Sequence, residues 1–357
     1  MISIYPSQAE RIRHLALPGG QMMSSRLLGA SQAPAWLALH GGPGSGANPG
    51  LWRDFDLRRQ RVVAPDQRGS GRSRPRGSLR GQSLGGLIAD LERLRRALGL
   101  ASWPVLGGSW GATLALLYAA RHPKAVETLV LRGSFKGSRG EVIRLLRRFW
   151  PGTASLPGAA RAVIGIASPR HLRPVQAGRV LQGLSQVFRK ATVSRVTQQV
   201  ASAWQAMEQA AALHGMRRAW QQADLPEERR RLRAAWRALG PARLRRCLQQ
   251  PGWRPAQDQQ ALWQKYRIQS HLLAHRCGLA PGQWHAALRV VAAHRIPVTW
   301  IHGRFDAVCP PGNSRASHDS LSRLAGAGSS RLVLTPAGHL ATEPANGRAI
   351  QAAVSGG

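Results

Sequence analysis

Three short segments carry residue types suited to nucleophilic attack on a carbonyl. Gly107-Gly108-Ser109-Trp110-Gly111 sets a serine between glycines two positions away on either side. Thr335-Pro336-Ala337-Gly338-His339 ends in a histidine, and His302-Gly303-Arg304-Phe305-Asp306 ends in an aspartate. A serine hydroxyl is a weak nucleophile until an imidazole takes its proton, and the imidazole needs a carboxylate to hold it in the useful tautomer. Ser109 as nucleophile, His339 as base and Asp306 as the orienting acid meet those needs. A fourth segment, His40-Gly41-Gly42-Pro43-Gly44, has enough glycine for its main chain to approach a reacting group and turn an N–H inward. With the N–H of Trp110, the residue after the serine, Gly41 and Gly42 are candidates for an oxyanion hole. One such donor is worth about 3–4 kcal/mol of barrier.

Each residue also has an ordinary reading. A Gly-Ser pair can be a plain turn, Asp306 can cap its own loop, and His339 can be a loop histidine. The elements around them discriminate. Trp103–Leu106 reads as a strand running into the serine turn, and Ala112–Ala120 as an almost wholly apolar, buried helix leaving it. Ala35–Leu39 is a strand ahead of the glycine loop; Val298–Ile301 precedes the Asp306 loop and Leu332–Leu334 the His339 loop. All the candidates thus fall at carboxyl ends of strands, the rim where open α/β sheets place their sites. The chain order Ser, Asp, His is the one used by the strand–turn–helix nucleophile motif. Asp319 is the nearest rival acid but falls within a helix expected near 315–325. His302 is read as a satisfied structural histidine at a strand end.

Arg61–Pro65 and Val126–Leu131 are further strands, and Leu84, Leu87, Ile88, Leu91, Leu94 and Leu98 recur at helical spacing. Ala345–Val354 is a closing helix, and the weakly patterned first thirty residues are read as edge strands. Strands alternating with helices predict a mostly parallel sheet flanked by helices on both faces; with the serine turn between strand and helix and the order Ser, Asp, His, the expected fold is that of the α/β-hydrolases. Alternation is lost from about Phe135 to Ala293, where Arg, Ala, Leu, Gln and Trp recur in helical patterns such as Leu232, Trp236 and Leu239. That stretch reads as an inserted helical cap, interrupted near Pro151–Gly158, at Pro226 and near Pro251–Pro255. The expected division is hydrolase core over 1–134, cap over 135–293 and core again over 294–357.

The bulk composition narrows the function classes. A 43% hydrophobic content over 357 residues supports a large core rather than disorder. Cys247, Cys277 and Cys309 form no CxxC pair, which argues against a disulfide framework or a cysteine-rich zinc site. There is no H-E-x-x-H, no P-loop and no dinucleotide fingerprint, so neither a metal nor a cofactor is expected. No run approaches the ~20 apolar residues of a membrane helix. Met1 to Gly20 holds no signal-like apolar stretch, so a cytoplasmic location is expected. Lys and Arg total 51 against 16 acidic residues, a formal +35. Such a field attracts polyanions, but the arginines are dispersed and no nucleic-acid-binding motif accompanies them. The expectation is a solvated basic surface without a specific nucleic-acid partner. A basic nucleic-acid-binding protein on a hydrolase scaffold is the alternative from another class.

Together these segments resemble the proline iminopeptidases (prolyl aminopeptidases). The likeness rests on His40-Gly41-Gly42-Pro43-Gly44, Asp66-Gln67-Arg68-Gly69-Ser70-Gly71-Arg72-Ser73, Gly107-Gly108-Ser109-Trp110-Gly111 and Gly303-Arg304-Phe305-Asp306, with Leu129-Val130-Leu131-Arg132-Gly133 and Cys309-Pro310 beside them. The resemblance implies a cytoplasmic serine peptidase that releases N-terminal proline, with the triad on Ser109, Asp306 and His339. It also implies an amine-binding site in the cap. The family's W-x-x-W-E segment, whose Glu binds the substrate's amino group, looks like Trp204-Gln205-Ala206-Met207-Glu208 here, with Met207 for the second Trp. Its R-I-E-N-H-Y-F segment looks like Arg267-Ile268-Gln269-Ser270-His271-Leu272-Leu273, with Gln269 for a second amine-binding Glu. Trp204, Glu208 and Gln269 are therefore the expected substrate contacts. A charged acceptor contributes about 1.5–3 kcal/mol and a neutral one about 1, so the swap weakens attraction for a cation. The expected substrate is a peptide with N-terminal proline or a small residue. The alternative is an ester or amide cleaved by the same triad with altered amine specificity. The sequence leaves the oligomeric state open.

Overall fold

A computed structural model describes residues 10–149, 176–189, 193–224, 226–238 and 256–356. Eight strands make one sheet in the order β1-β2-β4-β3-β5-β6-β7-β8. β1 (Arg11–Leu17) and β2 (Gln21–Gly29) are the antiparallel edge, and β2 pairs antiparallel with β4 (Arg61–Pro65). From β4 onward the ladder is parallel through β3 (Ala35–Leu39), β5 (Trp103–Gly108), β6 (Val126–Arg132), β7 (Val298–Gly303) and β8 (Ser330–Thr335). The expected edge strands, parallel core and flanking helices are all present.

Alternation along each strand builds two cores. In β3, Leu37 and Leu39 enter one apolar cluster while Trp36 and Ala38 enter the other, because successive side chains leave opposite faces of a sheet. The larger cluster takes α1 (Leu84–Ala97), α2 (Trp110–Arg121) and α8 (Gln283–Ala293); the smaller takes α10 (Pro344–Ser355). α1 begins at Ser83, whose hydroxyl accepts the Gly86 N–H, and it buries Leu87, Leu91 and Leu94 along one face. α2 has no polar face, as its all-round apolar sequence requires of a helix buried beneath the sheet. α9 (Gly312–Ala325) packs beside α8, and it holds Asp319, which is exposed.

Between β6 and β7 lie α3 (Arg139–Phe149), α4 (Ala177–Arg189), α5 (Arg195–Gln221), α6 (Pro226–Ala238), α7 (Ala256–Ala274) and then α8. α5 opens on a capping box in which Ser194 and Thr197 satisfy each other's backbone N–H. Its Ala219, with Ala223 just beyond its end, holds Leu232 of α6 in a small separate cluster. The Pro- and Gly-rich stretches near 151–158 and 251–255, and Cys247, lie outside the described residues. α8 ends at residue 293 and so falls within the expected cap, yet it packs on α2 and α9 of the core. Among the described residues no helix is long and apolar enough to cross a membrane.

Candidate active site

Ser109 sits at the turn from β5 to α2 with φ 56 and ψ −119. A non-glycine residue held at positive φ costs of order 1–3 kcal/mol, so neighbours must over-determine the turn. They do. The Ser109 N–H donates to the Arg132 carbonyl at 2.8 Å. A Cβ on Gly107 would collide with the Gly111 carbonyl, and one on Gly111 with the Leu39 carbonyl. The two flanking glycines are therefore steric requirements of the elbow, which explains their spacing around the serine.

Asp306 follows β7 and is buried, with both oxygens fully engaged. Oδ1 accepts the Val308 and Cys309 N–H groups, each at 2.8 Å. Oδ2 lies 2.7 Å from His339 Nδ1 and 3.2 Å from His302 Nε2. Burial opposes the charge, but the two imidazoles outweigh it and hold the carboxyl below the usual carboxylate range. Gly133, at φ 55, lets β6 end directly against this pair; its Cβ would lie 3.3 Å from His339 Cε1 and 3.5 Å from Asp306 Oδ2.

The His339 loop is clamped on both sides. Glu343 accepts the N–H of Gly338 at 2.7 Å and of Leu340 at 3.0 Å. Arg132 donates to the His339 carbonyl. Asn346 Nδ2 donates to the Gly338 and Leu340 carbonyls. Burial pushes the Glu343 carboxyl up to about 7, against the pull of the two N–H donors. His302 is fully buried, as a structural histidine should be, but it touches the acid directly and binds Ser314 Oγ at 2.7 Å.

Ser109 and His339 line one cavity of about 620 Å³. The Ser109 hydroxyl lies 3.9 Å from the Cys309 thiol, and the serine makes no hydrogen bond to His339. Catalytic hydrogen bonds of this kind commonly tighten only when substrate is bound. Gly41 adjoins the elbow so closely that a Cβ there would lie 2.7 Å from the Gly108 carbonyl and 3.0 Å from Ser109 Cβ. Gly42 adopts φ 51, and Trp110 supplies the first amide of α2, ahead of the intrahelical ladder. His40 braces this loop: its Nε2 accepts the Gln67 N–H at 3.0 Å, and Gln67 returns a bond to the His40 carbonyl. Gln67 Oε1 in turn accepts from the Trp110 indole at 2.9 Å. Nothing in the sequence ties His40 or Gln67 to a role at the elbow. Both are distant from Ser109 in the chain, and only packing joins them.

Trp204 and Glu208 on α5 and Lys265 and Gln269 on α7 line the same cavity as Ser109 and His339. Trp204 is buried and stacks on Tyr266, ring centroids 5.2 Å apart. Met207 is buried too. Glu208 is not free: Lys265 Nζ lies 2.7 Å from its Oε2. Among the described residues no group of three or more His, Cys, Asp or Glu side chains is placed to hold a metal ion.

Residues 34–344 match the family model for the alpha/beta hydrolase fold. The chain belongs to this family. Over 104 residues it is 52% identical to a proline iminopeptidase of Xylella fastidiosa, covering 29% of this chain and 33% of that protein. Over 116 residues it is 51% identical to a probable proline iminopeptidase of Streptomyces coelicolor, covering 31% and 36%. The chain thus aligns with only about a third of the length of these relatives. Among solved structures, a haloalkane dehalogenase from Bradyrhizobium elkanii superposes with a TM-score of 0.56 at 20% identity, covering 98% of this chain and 97% of that one. A proline iminopeptidase-related protein from Thermus thermophilus gives 0.53 at 19%, covering 97% and 98%. At such identities the likeness speaks for the fold alone.

Proposed function

We propose that this hydrolase-family chain is a serine hydrolase of the proline iminopeptidase type, releasing N-terminal proline or a small residue from peptides through an acyl-enzyme. One observation carries the reading. His339 Nδ1 is held 2.7 Å from a buried Asp306 carboxylate while the same imidazole lines a cavity with Ser109 at its strained elbow. That arrangement holds the His339 proton on Nδ1 and keeps Nε2 free to take another. In the first step Ser109 Oγ attacks the scissile carbonyl carbon and its proton passes to His339. The N–H groups of Trp110 and of the Gly41–Gly42 loop receive the oxyanion. Collapse expels the leaving amine, which takes the proton back from His339. Water then repeats the sequence on the ester and frees Ser109. Glu208, with Gln269 and Trp204 beside it, is where the substrate's amino group would be read.

A fluorophosphonate probe tests the core of this reading. It should label Ser109 and should fail on Ser109→Ala, which should also lose turnover of prolyl p-nitroanilide while melting like the parent. Turnover by Ser109→Ala equal to the parent's would remove the serine from the mechanism. The Lys265–Glu208 pair favours a second reading, an esterase or amidase using the same triad on acyl groups without a free amine. Equal hydrolysis of free and N-blocked prolyl p-nitroanilide would decide for it.

A further inference from the structure

Glu208 on α5 and Lys265 on α7 are 57 positions apart in the chain, yet their charged ends meet at the wall of the cavity that Ser109 and His339 also line. Three donors from α7 converge on the carboxylate. Lys265 Nζ reaches Oε2 at 2.7 Å, the Tyr266 hydroxyl reaches the same oxygen at 3.0 Å, and Gln269 Nε2 reaches Oε1 at 2.5 Å. Lys265 and Gln269 stand one helical turn apart and so share a face of α7. Tyr266 is fixed by its stack on Trp204. The Lys265 and Glu208 side chains keep 20% and 22% of their surface exposed, so the pair borders the cavity rather than being sealed behind it.

A carboxylate that reads a cationic amine works because it presents an uncompensated negative charge. Here that charge is already met by an ammonium of the chain's own. A substrate amine approaching Glu208 must take up a position next to Lys265 or displace it, and like charges a few ångströms apart repel. Lysine can yield, because its charge rides on a flexible four-carbon stem. A neutral acyl group meets no such opposition. The carboxylate also fixes which way the Gln269 amide points, since only its NH₂ end can donate to Glu208. Gln269 Oε1 is left buried without a hydrogen-bond partner, an acceptor suited to a neutral N–H.

We propose that Lys265 is a specificity-determining residue: its ammonium occupies the amine site that Glu208 provides and competes there with the cationic amino group of the substrate. The inference rests on the reading of Glu208 as the amine site. It makes free-amine substrates weak in KM and lets acyl groups bearing an uncharged nitrogen enter on better terms than an unpaired Glu208 would allow. Specificity is then set by a built-in repulsive element as well as by attraction.

Binding of prolinamide and of N-acetylprolinamide, measured by calorimetry in a Ser109→Ala background, tests this without catalysis. Lys265→Met should tighten prolinamide relative to N-acetylprolinamide at least tenfold. Lys265→Arg should keep the parent ratio within about threefold, because the cation stays. Adding Glu208→Gln to Lys265→Met should erase the gain. Lys265→Gln serves as the neutral variant if the methionine form does not fold. A folded Lys265→Met or Lys265→Gln protein with an unchanged ratio overturns the proposal. Fluorophosphonate labelling of the intact chain separates the two readings. Labelling with an unchanged ratio refutes Lys265 alone, whereas a raised ratio without labelling upholds Lys265 and refutes the hydrolase.

Discussion

Replacing Asp306 by asparagine changes one atom, and the structure dictates where that atom goes. Oδ1 accepts two backbone N–H groups at 2.8 Å, from Val308 and Cys309. An NH₂ group cannot sit there, since it would face two donors. The asparagine oxygen must therefore keep that side, and its NH₂ must face His339 Nδ1 and His302 Nε2. His339 can satisfy that donor only by accepting at Nδ1, which moves its own proton to Nε2, the nitrogen that should take the serine proton. The equivalent tautomer error in a serine protease triad lowers kcat by about 10⁴. Loss of the counter-charge acts in the same direction. An imidazolium and a carboxylate about 4 Å apart attract by about 4 kcal/mol at an effective dielectric of 20. Asp306→Asn should accordingly lower kcat on p-nitrophenyl acetate by about 10³–10⁴ near neutral pH. Asp306→Glu should do less damage to the tautomer and more to the packing. The assay is steady-state hydrolysis alongside a thermal melt, with fluorophosphonate labelling rate as a second readout. If Asp306→Asn melts like the parent and loses less than tenfold in kcat, Asp306 does not govern the His339 tautomer and the assignment of the acid fails.

Gly41→Ala should lower kcat by about 10²-fold, the worth of about 3 kcal/mol of oxyanion stabilisation, because its Cβ drives the loop off the elbow; an unchanged kcat would place the hole elsewhere. Gly111→Ala should give little soluble protein, since its Cβ meets the Leu39 carbonyl, a backbone atom that cannot step aside. Normal expression and melting would show that the elbow has more room than its geometry implies. Glu343 concerns pH. Its folded carboxyl is raised to about 7, so its contribution favours folding below its ordinary range near 4.5 and is lost as pH rises through 7. A shift of that size is worth about 3 kcal/mol. The parent should therefore lose urea stability between pH 5 and 8 relative to Glu343→Gln, and parallel stability curves would refute the shift.

Much of the site is legible in the sequence. The nucleophile motif could be read because its constraint is local: glycines at fixed offsets around a serine answer to collisions within one strand–turn–helix unit. Strand ends were equally readable from short apolar runs that stop at Gly, Pro or Asp. The sheet order at the edge, where β4 lies between β2 and β3, was not, because sequence periodicity says which face a side chain takes and not which strand lies beside it.

By itself, the sequence determined the elbow at Ser109, the loops that end in Asp306 and His339, and the alternation that makes a parallel sheet. Each depends on residues near one another in the chain, through steric exclusion or hydrophobic period. Tertiary structure alone decided that His302 shares the Asp306 carboxylate, that the Cys309 thiol lies beside the Ser109 hydroxyl, that α8 belongs against α2, and that Lys265 reaches Glu208. Electrostatic and packing contacts depend on distance in space. Helices of unrelated sequence that cross at one cavity wall leave no shared pattern along the chain to announce it.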